Sequence, residues 1–233
     1  MTRILHSMAF GLLLTASLPS YAEGGIALGQ TRVIFSAEDK AQSITVSNTG
    51  EAAFLIQARV QTNPDGGESS PFIVTPPLYS LQGGSRQVLR ILRQDGNLPT
   101  DRESLFYLSV AAIPSQQAPL NDRDRVSVGM RFVVKLFYRP EGLTLPAEEN
   151  ACRLIFRRTA DGVRIENPTE YFQTLGKLTI NGRMIALAQQ PVMVPPHEHF
   201  IMLGVSPPAT VTWQTVNDHG GLSTSCKQVA AVH

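Results

Sequence analysis

Beyond its first two dozen residues the sequence has no long apolar run. Proline, glycine or charge interrupts every candidate, and a spanning helix needs about 20 apolar residues, so no membrane insertion is expected. Sustained 3.6-residue periodicity is missing too, which leaves little room for helices. Charge is sparse, 17% of 233 residues, and nearly balanced at a formal +1. Without a basic excess to meet phosphates, neither nucleic acid nor an anionic membrane is expected as a general partner. The catalytic signatures G-x-S-x-G and H-E-x-x-H and a Walker-type glycine loop are all absent, so the chain does not read as an enzyme. His197-Glu198-His199 can set two imidazoles on one strand face, but no third ligand accompanies them. A solvated turn beside Pro195-Pro196 is the simpler reading, and no metal or cofactor is expected.

The start of the chain supplies the compartment. Met1-Thr2-Arg3 is a short basic opening, an apolar stretch runs from Met8 to Leu18, and Pro19 leads into the small-x-small pattern Ser20-Tyr21-Ala22. That is the layout of a secretory signal peptide over residues 1–22. The mature chain is expected to begin at Glu23, with its formal charge reduced to zero by the loss of Arg3. Its two cysteines, Cys152 and Cys226, would meet an oxidising environment and read first as a structural disulfide. Free or metal-binding thiols are the rival reading, without neighbours at ligand spacing.

Short apolar-alternating runs separated by turn residues fill the remainder. Candidate strands are Leu28–Phe35, Ser43–Ser47, Phe54–Gln61, Phe72–Thr75, Gln87–Arg93, Leu105–Ala112 and Val126–Tyr138. Between them lie Asn48-Thr49-Gly50, Asn63-Pro64-Asp65-Gly66-Gly67 and Gln82-Gly83-Gly84, all turn chemistry. Such a series predicts an immunoglobulin-like sandwich over residues 23–139. Arg139-Pro140-Glu141-Gly142 breaks it. Residues 140–233 then carry a second set: Cys152–Arg158, Val163–Asn167, Phe172–Ile180, His199–Leu203, Thr210–Val216 and Ser223–Ala230. The expected fold is all-β: two immunoglobulin-like β-sandwich domains joined by a short hinge, with an interdomain cleft.

One segment exceeds what a single sandwich needs. From Val126, alternate residues are Val126, Val128, Met130, Phe132, Val134, Leu136 and Tyr138, while the intervening positions are mostly polar or charged. Thirteen residues at about 3.3 Å each would reach roughly 43 Å, against about 17–20 Å for an ordinary strand. Either a bend or bulge tucks the strand home, or Val126, Val128 and Met130 project and offer an apolar edge for pairing. Periodicity alone leaves both open.

The same strand carries Lys135-Leu136-Phe137-Tyr138-Arg139-Pro140, which resembles the PapD-like periplasmic chaperones of the chaperone–usher pilus pathway. The likeness continues in Thr31-Arg32-Val33-Ile34, Phe72-Ile73-Val74-Thr75-Pro76-Pro77, Glu103-Ser104-Leu105-Phe106-Tyr107-Leu108, Ile113-Pro114 and Asn217-Asp218 with Gly220-Gly221. The resemblance implies a periplasmic chaperone that holds pilin subunits and delivers them to an outer-membrane usher. It assigns Arg32 and Lys135 to the client's C-terminal carboxylate, and Val126, Val128 and Met130 to a strand donated to the client. Glu103, Arg139 and Asp218 become an interdomain ion-pair network. The short segment Ser115 to Arg125 is similar to the short-loop branch of the family. Cys152 and Cys226 depart from some of its better-known members, whose cysteines are absent or close together near the end of the chain. A fibre subunit is the competing exported class; it predicts a missing strand, whereas this chain reads as complete sandwiches.

Overall fold

A computed structural model describes residues 24–115, 128–143, 147–160, 162–187, 193–205 and 208–229. Its strands are β1 (Ile26–Leu28), β2 (Arg32–Ser36), β3 (Gln42–Asn48), β4 (Phe54–Asn63), β5 (Gly66–Ser69), β6 (Phe72–Thr75), β7 (Leu78–Leu81), β8 (Arg86–Arg93), β9 (Ser104–Pro114) and β10 (Met130–Arg139), followed after a 3₁₀ turn (Ala147–Asn150) by β11 (Ile155–Arg158), β12 (Gly162–Glu166), β13 (Gln173–Ile180), β14 (Arg183–Met184), β15 (Met193–Val194), β16 (His199–Leu203), β17 (Thr210–Thr215) and β18 (Cys226–Val229).

Strands β1 to β10 form two facing sheets, one ordered β1-β3-β8-β6 and the other β2-β10-β9-β4-β5, with β7 also on β4. Period-two alternation sends Val33, Phe35, Ile44, Val46, Leu89, Ile91, Leu108, Val110 and Leu136 between them into one core, as a half-buried pleated surface requires. Phe72 sits against Phe35 and Phe106 edge-on, each with ring centroids 5.1 Å apart. The second lobe repeats the plan, with β11-β12-β16 facing β14-β13-β17-β18 and β15 paired to β13. Its core gathers Phe156, Val163, Ile165, Leu178, Met202, Val211 and Trp213, and the Trp213 indole donates to the Ala151 carbonyl at 3.0 Å. The fold expected from the sequence is the fold observed.

Each sandwich is fastened by one buried asparagine. The Asn48 carboxamide donates to the carbonyls of Ala52, Leu81 and Gln82. The Asn167 carboxamide does the same for Tyr171, Val194 and Pro195. Buried loop carbonyls need partners, and one side chain here serves three.

Several expected boundaries need correction. Leu28–Phe35 is two strands in opposite sheets: β1 pairs with β3 and β2 with β10, the chain crossing at Gly29-Gln30-Thr31. Alternation records which face is buried, not which sheet a strand joins. The Asn63–Gly67 turn is tighter than expected, since Gly66 already pairs with Asn63. Cys152–Arg158 begins only at Ile155, because the chain is still turning there, the Arg153 N–H donating back to the Asn150 carbonyl at 3.1 Å. The long strand is ten residues, Met130–Arg139. Met130 lies within the ladder opposite Ala112, Val128 precedes it, and Val126 falls outside the described residues, as does most of Ser115 to Arg125. His197 occupies a turn at φ 57°, apart from His199 at the start of β16.

The Cys152–Cys226 disulfide spans a sequence separation of 74 and ties the entry of the second lobe to its last strand, beside Trp213. Loss of a native disulfide costs about 2–5 kcal/mol. Cys152→Ala/Cys226→Ala is therefore expected to lower the urea midpoint followed by fluorescence of Trp213, the chain's single tryptophan. An unchanged midpoint would mean that the bond adds nothing to the lobe.

Candidate functional site

Strand β10 touches every part of the site. In β10, Val134, Leu136 and Tyr138 enter the first core, while Lys135, Phe137 and Arg139 share the other face, and of these Phe137 and Arg139 line the cleft to the second lobe. Phe137 is apolar between the charged Lys135 and Arg139 on its face, yet only 2% exposed, because Phe172 of the second lobe covers it at a ring distance of 5.8 Å.

Arg139 joins the lobes. Its Nε and Nη2 grip Glu103 Oε1 at 3.0 and 2.7 Å, and Nη1 and Nη2 reach the Asp218 carboxylate at 2.9 and 3.2 Å. The other Glu103 oxygen accepts the Phe172 backbone N–H at 2.9 Å, and the guanidinium lies 4.9 Å over the Tyr171 ring. Burial alone would lower the Arg139 pKa, but Asp218 and Glu103 together outweigh it and hold the group above the ordinary arginine value. The three residues expected to pair across the lobes are thus in direct contact.

A cleft of about 690 Å³ opens beside this network, lined among others by Gln30, Arg32, Phe137, Glu103 and Asp218. β2 runs parallel to β10 with Arg32 opposite Lys135, so two cations stand on adjacent strands about 4.8 Å apart. Burial, and secondarily Arg32, lower the Lys135 pKa. Burial likewise lowers that of Arg32, against the pull of Asp218 and Glu103. Neither cation has an ion-pair partner within 4 Å among the described residues. Arg32 does donate from Nη1 to the Val216 carbonyl at 3.2 Å and lies 5.7 Å from the Phe137 ring centre. Side by side, half-buried and without a direct ion-pair partner among the described residues, they are suited to an anion, Arg32 as a planar fork and Lys135 as a point charge.

The pairing of β10 changes at Lys135. From Lys135 to Tyr138 it lies between β2 and β9, but from Met130 to Val134 only β9 is beside it among the described residues. That half is an open edge, and apolar residues flank it: Val128 is 66% and Met130 38% exposed. Exposed apolar edges are normally suppressed because they template pairing with another chain.

Residues 25–144 match the PapD N-terminal domain of pili and flagellar-assembly chaperones, and residues 149–227 match the C-terminal domain of the pili assembly chaperone PapD. The chain belongs to the PapD-like pilus-assembly chaperones. Within that family it is similar to the chaperone protein FimC of Escherichia coli K12, 40% identical over 205 residues, covering 87% of this chain and 83% of FimC. It is 34% identical to the probable fimbrial chaperone LpfB of E. coli O157:H7, covering 94% and 95% of the two chains. Among solved structures, the periplasmic chaperone SfaE superposes with a TM-score of 0.73 at 32% identity, over 89% of this chain and 100% of that one. A chain of the Salmonella enterica SafA pilin–SafB chaperone complex gives 0.79 at 29%, over 88% and 96%.

Three features of the site lacked a side-chain signal strong enough to read beforehand. These are the Val216 carbonyl on Arg32, the Tyr171 ring under Arg139 and the Phe172 cover on Phe137. The last had a hint, Phe137 being apolar between Lys135 and Arg139.

Removing one partner of a buried ion pair costs about 3–5 kcal/mol, since the other charge is stranded. Glu103 has a side chain 3% exposed, against 37% for Asp218. Glu103→Ala, which leaves Arg139 with Asp218 alone and takes the acceptor from the Phe172 N–H, is expected to lose up to about that amount in denaturant unfolding, and Asp218→Ala clearly less. The reverse order would overturn Glu103 as the buried partner of Arg139.

Proposed function

We propose that the protein is a periplasmic chaperone for pilus subunits, which binds a client along the open half of β10 and anchors its C-terminal carboxylate on Arg32 and Lys135. The observation that carries this is the juxtaposition on one strand: the free edge Met130–Val134 ends at the cation pair. A client strand continuing the line of β2 past Arg32 would run parallel to β10, as β2 does, and bring its last residue to Lys135. Main-chain bonds would supply affinity, and alternating side chains would set register. Val128 and Met130, with Val126 upstream, would enter a groove in the client. Each fully buried side chain of this size contributes about 1.5–3 kcal/mol, comparable with a hydrogen bond to a charged group at about 1.5–3 kcal/mol.

The leader over residues 1–22 would send the chain to the periplasm, with Glu23 its first mature residue, and an outer-membrane usher would receive the client. The two lobes are read as residues 23–139 and 140–233. Holding and release need no nucleotide, metal or chemical catalysis in this scheme.

Co-expression in the periplasm with a pilin from the same gene cluster tests the anchor and the donor separately. Arg32→Ala and Lys135→Ala are expected to fold yet recover little client, and Val128→Glu to fail through the groove. Full recovery with both cation variants would sink the carboxylate anchor, and a normal complex with Val128→Glu the donor register.

Alkaline titration supplies an independent check. Because the free Lys135 pKa lies below 10.5 and a bound carboxylate raises it, affinity begins to fall as pH passes the lowered value and levels off above the bound one. In Lys135→Arg that fall is expected to disappear from the range. A flat profile in the unsubstituted protein would exclude Lys135 as a carboxylate partner.

A further inference from the structure

The second lobe hydrogen-bonds to Arg32 through a backbone group, the Val216 carbonyl. Beyond β17 the chain turns back on itself at Asn217–Gly221. The Asn217 N–H donates to the Gly221 carbonyl at 2.8 Å and the Gly220 N–H to the Asn217 carbonyl at 3.0 Å. The Asn217 side-chain oxygen accepts from the backbone of His219 at 3.1 Å and of Gly221 at 2.9 Å. At the turn's base the Val216 N–H is bound to the Thr174 carbonyl at 2.8 Å. The peptide plane between Val216 and Asn217 is therefore fixed, and its carbonyl points at Arg32.

That carbonyl takes Nη1 of Arg32, the nitrogen remote from the Nε–Nη2 edge. The same edge in Arg139 is the one that grips the Glu103 carboxylate. In Arg32, Nε is shielded from solvent and has no acceptor among the described residues. Gly220 makes the close approach possible. At φ +83° a Cβ there would lie 2.3 Å from the Oγ1 of Thr31, the residue next to Arg32.

We infer that the Asn217–Gly221 turn is a positioning element of the client anchor: by holding the Val216 carbonyl on Nη1 and lying against Thr31, it fixes the guanidinium plane of Arg32 so that Nη2 is left for a client carboxylate. This rests on the reading of Arg32 as the anchor. Asn217 and Gly220 touch no client in this arrangement; they act through Arg32. The second lobe thereby sets how well the first recognises a chain end, which its core and disulfide do not do.

The test uses the full mature chain and two synthetic peptides copying a pilin C-terminus from the same gene cluster, one ending in a free carboxylate and one in an amide. A charged hydrogen-bonding end predicts at least about tenfold preference for the carboxylate in the unsubstituted chaperone. Asn217→Ala and Gly220→Ala are expected to lose most of this preference while binding the amide peptide as before. Asn217→Asp, which keeps the acceptor oxygen, is expected to retain it. Thr31→Ala, which removes the obstructing hydroxyl, is expected to restore part of it to Gly220→Ala. In an Arg32→Ala background, Asn217→Ala should change nothing further. A merely destabilising change would weaken both peptides alike and add to Arg32→Ala, and that result overturns the proposal. Retention of the preference in both turn variants also overturns it, with the anchor intact. Absence of the preference in the unsubstituted protein removes the anchor itself.

Discussion

Arg139 is a largely buried cation, 19% exposed, with carboxylates on two sides, and the arrangement of the lobes follows from the need to satisfy it. Glu103 comes from the first sandwich and Asp218 from the second, so full hydrogen bonding is reached only when the lobes meet at one angle. A buried ion pair gives little net stability relative to a well-packed apolar contact, because desolvation offsets most of its attraction. Direction is what it adds. The Phe137–Phe172 contact contributes apolar burial beside it, but rings tolerate sliding and tilt, whereas a guanidinium held at both edges does not. The cleft inherits its shape from that difference.

The same network explains why two further cations can stand nearby without a partner. Asp218 and Glu103 favour the charged form of Arg32, although both are already committed to Arg139. Arg32 thus gains electrostatic support without losing its hydrogen-bonding edge to them. Lys135 has less support, with Arg32 beside it and burial acting in the same direction. The pair is an unfinished anion site, stabilised enough to persist and left open enough to be filled.

Much of the architecture was legible because it depends on side-chain burial, which alternation records. His199–Leu203 and Phe72–Thr75 have the bounds expected from pattern. The failures have a common cause: pairing is a backbone property. Alternation could not show that Leu28–Phe35 crosses from one sheet to the other, nor that β10 loses a neighbour above Lys135. Short strands such as β14 and β15, two residues each, are too brief to show a period. At the site, Arg32, Lys135, Glu103, Arg139 and Asp218 were found by family motif, since scattered charges carry no period of their own. The Val216 carbonyl has no side-chain signature at all, and only the folded turn reveals where it points.

The position of the cation pair on β10 has a consequence for which chains can fit. Lys135 lies five residues from Met130, about 17 Å along the strand, and no turn or bulge separates them in the ladder. An anchor for a chain end at one mark and apolar side chains at fixed intervals from it make a ruler read from the client's terminus. A client shortened or extended by one residue would still present a carboxylate, but every side chain upstream would face the wrong way. Under the proposed reading, the strand therefore inspects where a polypeptide stops as well as what it contains, and completeness becomes a binding criterion.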